Sequence, residues 1–207
     1  MRNPKLVIDG ASLTLEHLRR FERERPVVEL ADAARARMRE SEATVVATVE
    51  SGRTAYGINT GFGAFANRVI PAQKTRKLQL NLVRSHACGV GEPLPAMLVR
   101  RMLLLKANNL AAGFSGVRPL VVDTLLALLN ADVLPVIPAQ GSVGASGDLA
   151  PLAHLALALI GEGEATGPTT AGAESRRVLA GLEVLSAAAV EPLALQAKEG
   201  LALLNGT

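Results

Sequence analysis

The chain has 207 residues, 49% hydrophobic and 20% charged, which suffices for one sizeable core or two small ones. Its single cysteine, Cys88, excludes an internal disulfide and suits a reducing compartment. Apolar runs are broken by Asp123, Asn130, Asp132 or His154 before the ~20 residues of a membrane span, and residues 1–5 open no signal-like stretch. Charge is uneven: residues 1–118 carry 19 Lys/Arg and 10 Asp/Glu, residues 119–207 carry 3 and 9. The bases interleave with acids, as in residues 16–25. That pattern reads as a solvated helix face, or as complementary halves meeting in an oligomer, rather than as a nucleic-acid surface.

Aromatic residues are only 2%, and Ala and Leu dominate, so helices are expected over sheets. Residues 6–8 read as a short strand, and 14–25 as a helix ended by Pro26. Residues 30–49 read as a second helix stopped by Gly52. A glycine-rich loop spans 55–63, a helix 72–84, and a loop punctuated by Gly89, Gly91, Pro93 and Pro95 spans 86–95. Residues 96–112 read as a largely buried helix with Met97, Leu98, Met102, Leu105 and Leu110 on its inner side. Pro119 opens a helix running to Asn130. Pro135 and Pro138 force an extended approach to a glycine-rich segment. Asp148 reads as the N-cap of a helix over 149–160, with Pro151 in its first turn. Residues 161–172 read as a polar loop, or as a hairpin with 177–179, and a last helix follows Pro192. There is no internal repeat.

The run Gly141-Ser142-Val143-Gly144-Ala145-Ser146-Gly147-Asp148-Leu149-Ala150-Pro151 stands out. It has no lysine for a phosphate loop, Val143 breaks a dinucleotide fingerprint, and Asp148 stands where a nucleophile elbow needs glycine. A plain helix-capping loop is the bland alternative. The chemical alternative is backbone cyclisation. Gly147 has no side chain to hinder its amide nitrogen. Closing that nitrogen on the Ala145 carbonyl carbon, with loss of water and dehydration of Ser146, would make an electrophile from the chain itself. The partial positive charge of the following helix would stabilise negative charge developing there.

Other candidates are fewer. Tyr56, the only tyrosine, is either a packing anchor or a general base. His86 sits beside glycine in a loop, where surface or hydrogen-bonding roles are commoner than catalysis. His154, in an apolar helix, reads as a satisfied core histidine. Cys88, in an apolar neighbourhood, reads as an inert thiol rather than a nucleophile. His17, His86 and His154 lack metal-ligand spacing.

Segments 54–63, 85–91, 113–118, 141–154 and 198–207 together, in this order, resemble the histidine and aromatic amino acid ammonia-lyase family. The resemblance implies that Ala145, Ser146 and Gly147 cyclise to a 4-methylidene-imidazol-5-one (MIO) group, with no metal and no pyridoxal phosphate. It implies that Tyr56 is the catalytic tyrosine, that Asn205 hydrogen-bonds the electrophile, and that Asp148 supports ring formation. The Ser85-His86 pair resembles histidine-specific members, so His86 would orient L-histidine for elimination to trans-urocanate and ammonia. The alternatives are a tyrosine or phenylalanine lyase, an aminomutase, or an inactive N-terminal unit used only for assembly. Cys88 departs from the family pattern, and 169–191 match it less clearly.

The resemblance further implies a mainly α fold, the N-terminal portion of the aspartase/fumarase-like helical architecture, with short strands and an electrophile loop at a helix N-terminus. Residues 1–207 would be one N-terminal domain, cut before a central helical bundle that holds further catalytic residues. The apolar end at Leu203-Leu204-Asn205-Gly206-Thr207 fits that expectation. A homotetramer completed by the C-terminal remainder, in the cytoplasm, with no membrane or nucleic-acid partner, is what such proteins form. The chain alone is expected to be inactive.

Overall fold

The computed structural model describes residues 4–63, 66, 68–169 and 172–206. As the composition predicts, helices dominate. The first strand, β1 (Lys5–Ile8), precedes α1 (Leu15–Glu24), which is capped reciprocally at Thr14. The Thr14 hydroxyl accepts the His17 backbone N–H at 3.2 Å, and the His17 ring accepts the Thr14 N–H at 3.3 Å. Arg25, at φ 45°, closes the helix before Pro26.

The second helix starts later than its sequence suggests. Val27–Leu30 form a strand, β2, parallel to β1, and only then does α2 (Asp32–Glu50) begin. The β-branched pair Val27-Val28 suits that strand, alternating between half-buried and buried positions.

The core lies on α4 (Ala96–Ala111), α5 (Pro119–Asn130) and α6 (Ala150–Leu159). The bounds of α5 are those expected. On α4 the expected inner face holds only in part: Leu110 is buried and Met97 and Met102 are half-buried. Val99, Leu103, Lys106, Ala107 and Leu110 are buried, whereas Leu98 and Leu105 are exposed. Apolar residues run almost all round this helix, so hydropathy alone misassigned part of its face. Arg100 and Lys106 belong to the buried side because each finds polar partners there: Arg100 pairs with Asp132, and Lys106 donates to backbone carbonyls.

Three elements set the site. Helix α3 (Ala72–His86) runs two residues further than expected, so Ser85 and His86 end a helix rather than begin a loop. The following strand β3 (Val90–Pro93), expected to be loop, pairs antiparallel with β5 (Pro138–Gln140), Val90 opposite Gln140. Strand β5 feeds loop 141–149, which enters α6.

Between α5 and β5 lies the two-residue strand β4 (Leu134–Pro135). It joins a hairpin of β6 (Glu164–Thr169) and β7 (Gly172–Ala180), whose pairing with 177–179 is the one expected; of the expected 161–172 loop, 164–169 and 172 are strand, and 170 and 171 lie outside the described residues. Two short helices close the described chain, α7 (Leu182–Ala187) and α8 (Glu199–Leu204), where the sequence suggested one. Helices α3, α6 and α8 pack against one another pairwise.

Candidate active site

Loop 141–149 is solvent-facing at nearly every residue, with Val143 fully exposed. At its apex, residues 144–147 form a tight turn in which the Gly147 N–H donates to the Gly144 carbonyl at 3.0 Å. Gly147 sits at φ 78°, a conformation glycine adopts freely, and a methyl group built on it would meet nothing within 4 Å. The Ser146 hydroxyl makes no hydrogen bond among the described residues.

Asp148 clasps the loop. One carboxylate oxygen accepts the Ser142 N–H at 2.8 Å, the Ser142 hydroxyl at 3.2 Å and the Ala150 N–H at 3.1 Å. The Ser142 backbone N–H, above all, holds this carboxyl below its ordinary pKa, with the Ala150 N–H and Ser142 hydroxyl adding to it against partial burial. The expected N-cap is corrected: Leu149 is the N-cap of α6 and makes no side-chain bond. Asp148, one residue earlier, satisfies a first-turn N–H and the loop's entry together. Gly141 makes room for it, since a Cβ there would lie 2.0–2.4 Å from the Asp148 carboxylate.

Tyr56 is 63% exposed, its ring edge-to-face with Phe62 at 6.2 Å. The backbone beneath it is fixed. Asn59 accepts the Ala55 N–H and donates to the Arg53 carbonyl, and the Thr60 hydroxyl accepts the Gly57 N–H. Gly57, at φ 76°, lets this loop lie on α8, where a Cβ would stand 2.7 Å from Leu201 Cδ2.

His86 Nδ1 stands 2.8 Å from the Leu82 carbonyl and 3.2 Å from the Ser85 hydroxyl. A carbonyl can only accept, so in the neutral ring Nδ1 carries the proton and Nε2 is left to accept. His154 is hydrogen-bonded as expected but half-buried rather than in the core: its Nε2 accepts the Gly89 N–H at 3.0 Å, and partial burial lowers its pKa. It ties the segment after His86 to the helix after the loop. Cys88 is exposed, contrary to the apolar setting expected of it.

Asn205 ends α8, its side-chain amide donating to the Leu201 carbonyl at 3.0 Å. It borders an open cleft of about 350 Å³ with Asn109, Phe114 and Lys198. Thr207 lies outside the described residues. The elements that carry Tyr56, His86, Ser146 and Asn205 are neighbours: the Tyr56 loop lies on α8, α8 packs on α3 and α6, and β3 pairs with β5. No hydrogen bond among the described residues joins these four side chains directly.

Sequence reasoning missed the polar groups that hold α8. Gln79 of α3, fully buried, accepts the Gly200 and Leu201 N–H groups. Glu199, 1% exposed, accepts Arg118 side-chain donors at 2.8 Å and the Gln196 N–H at 2.7 Å. Lys106 donates to the Ala202 and Asn205 carbonyls. A lysine inside Leu103-Leu104-Leu105-Lys106-Ala107 was a legible signal, because an unneeded charge is rarely kept in such a run. Among the described residues, no His/Cys/Asp/Glu group could hold a metal, and no helix is long and apolar enough to cross a membrane.

The scaffold is mainly helical and presents an exposed, tightly turned Ala-Ser-Gly just ahead of α6. The family model for aromatic amino acid lyases matches residues 13–207, and the chain belongs to that family. It is 54% identical over 98% of its length to histidine ammonia-lyase of Anaeromyxobacter sp. (strain K), of which it covers 40%. The crystal structure of histidine ammonia-lyase from Trypanosoma cruzi superposes with a TM-score of 0.85 at 42% identity, covering 98% of this chain and 38% of that one. Tyrosine aminomutase from Streptomyces globisporus superposes at 0.84 with 37% identity, covering 97% and 36%. The chain thus spans about two fifths of the length of these relatives.

Proposed function

We propose that this chain is the electrophile-bearing N-terminal domain, residues 1–207, of a histidine ammonia-lyase that converts L-histidine to trans-urocanate and ammonia. The observation that carries the proposal is the exposed Ala145-Ser146-Gly147 turn clasped by Asp148, in a chain 54% identical to a histidine ammonia-lyase. The residues fit an internal MIO ring. The turn is already tight, the Gly147 nitrogen is unshielded by a side chain, and the Ser146 hydroxyl is free to leave as water. Ring closure expels one water from the Ala145 carbonyl, and Ser146 loses a second.

The β-proton of an amino acid is weakly acidic and ammonia is a poor leaving group. Once formed, the ring supplies an electrophilic methylidene carbon that makes the substrate nitrogen a better leaving group. Tyr56, exposed on a rigid loop, takes the β-proton. His86, with Nε2 left to accept, orients the substrate, and Asn205 hydrogen-bonds the electrophile. The N-terminus of α6 favours negative charge developing beside it.

The remaining groups come from a C-terminal portion such as the relatives possess, and from neighbouring subunits of a cytoplasmic homotetramer. Full exposure of Val143 and 88% exposure of Phe114 support such a cover. Alone, the chain gives no turnover. A tyrosine- or phenylalanine-specific lyase or aminomutase is the second reading, supported by the likeness to tyrosine aminomutase at lower identity.

Two measurements test the proposal. Mass spectrometry of the peptide containing Ser146 is expected to show loss of two waters; an unmodified peptide from folded protein sinks the ring. With the C-terminal portion supplied, absorbance of urocanate is expected to rise with L-histidine. Coumarate formed from L-tyrosine or cinnamate from L-phenylalanine, with no urocanate from L-histidine, would refute the role given to His86.

A further inference from the structure

Lys106 is 4% exposed, yet its described partners are not carboxylates. Its ammonium donates to the Ala202 carbonyl at 2.6 Å and the Asn205 carbonyl at 2.5 Å. Burial lowers its pKa to about 8, so the cation is held against a desolvation penalty. Where a buried charge only fastens structure, a well-packed apolar side chain commonly does as well or better. The charge at this position serves the two groups it touches.

Those groups bracket one residue. The Ala202 carbonyl belongs to the last turn of α8, which leaves its final carbonyls without intrahelical partners. The Asn205 carbonyl lies beyond that turn, where the backbone has turned extended, at φ −81° and ψ 130°. Bridging the two fixes the turn of chain from which the Asn205 side chain projects. Helix α8 has six residues and cannot hold itself. Gln79 grips its N-terminal N–H groups; at the end that carries Asn205, Lys106 is the side chain from outside the helix that hydrogen-bonds it among the described residues. Asn109, one turn beyond Lys106 on α4, borders the same cleft as Asn205.

We propose that Lys106 is a positioning residue for the reaction, aiming the Asn205 carboxamide at the electrophile by bridging the Ala202 and Asn205 carbonyls. The inference rests on the ammonia-lyase reading. Its test is a double-mutant cycle in the complete enzyme, this chain with the C-terminal portion of its relatives. Lys106→Gln, Lys106→Met and Lys106→Arg are each made with Asn205 and with Asn205→Ala.

With Asn205 present, Lys106→Gln is expected to lower kcat about 10- to 100-fold, the scale of a displacement of about 1 Å. KM should stay within about threefold and Lys106→Arg should keep about a third or more of kcat. The Ser146 peptide should still lack two waters in every variant. With Asn205→Ala, Lys106→Gln should change kcat by less than about threefold, since nothing is left to aim.

Equal losses with and without the carboxamide overturn the proposal, as does wild-type kcat in Lys106→Gln. Loss of the helical circular dichroism in all three variants also overturns it, by assigning Lys106 to the fold. Wild-type enzyme that eliminates ammonia from no amino acid removes the ammonia-lyase reading itself. Wild-type elimination with an additive cycle removes the Lys106 inference alone.

Discussion

Gly141→Ala isolates the Asp148 clasp from everything else in the loop. Gly141 does not occupy the left-handed region, so alanine brings no backbone strain there. Its methyl group would lie 2.0 Å from Oδ2 and 2.2 Å from Oδ1 of Asp148, so the carboxylate must swing away. Three hydrogen bonds go with it, to the Ser142 N–H, the Ser142 hydroxyl and the Ala150 N–H. The site is exposed, so each bond stands near the lower end of ~0.5–1.5 kcal/mol. Their sum, about 1.5–2 kcal/mol, lowers the population of the clasped loop about 10- to 30-fold. If ring closure proceeds from the clasped loop, it slows by that factor. The assay follows loss of two waters from the Ser146 peptide against time after synthesis. In an Asp148→Ala background, Gly141→Ala should add nothing, because the contact it breaks is already gone. Dehydration of Gly141→Ala at the wild-type rate refutes the clasp as a requirement for cyclisation.

Tyr56→Phe keeps the ring contact with Phe62 and changes an exposed hydroxyl, so stability should move by no more than about 0.5 kcal/mol. Activity of the complete enzyme should fall about 100-fold or more, and undiminished kcat would remove Tyr56 as the base. Arg118→Leu strips Glu199, 1% exposed, of its guanidinium donors but leaves the Arg118 and Gln196 backbone N–H groups. The expected cost, read from urea midpoints, is about 3 kcal/mol, the lower end for breaking a buried pair, with part regained on adding Glu199→Leu. His154 has a pKa lowered by burial, so just below about 6.5 the unfolded chain binds more protons than the folded one. Stability should therefore rise with pH up to that point and fall as pH drops below it. His154→Gln, which can still accept the Gly89 N–H, should flatten the dependence; an unchanged slope would clear His154 of the effect.

The candidate loop was legible because its pattern is local. Ala145-Ser146-Gly147 sit in consecutive positions, and a tight turn with an unhindered glycine nitrogen needs only neighbours in the chain. Pro119 announced α5, and the paired cap at Thr14 begins the first helix near where it was expected. The inner face of α4 was only partly legible, because apolar residues surround that helix and only its partners decide which side is buried. Strands β2 and β3 escaped for a related reason: four-residue stretches become strands when β1 and β5 lie alongside, and both partners are distant in sequence. Gln79 and Lys106 hold α8 from about 120 and 100 residues away, a separation that hydropathy and spacing do not register.

The residues alone therefore determined the candidate Ala145-Ser146-Gly147 loop, its flanking helix and a mainly helical chain, since turn geometry is settled within a few residues. Only the tertiary structure decided that the elements carrying Tyr56, His86 and Asn205 are neighbours of the helix that follows that turn. Their elements meet through the packing of α3, α6 and α8 and through the β3–β5 ladder. It also decided where the buried charge of Lys106 is spent. A buried ammonium settles where the completed fold offers unpaired carbonyls, and these lie at the end of a helix far along the chain.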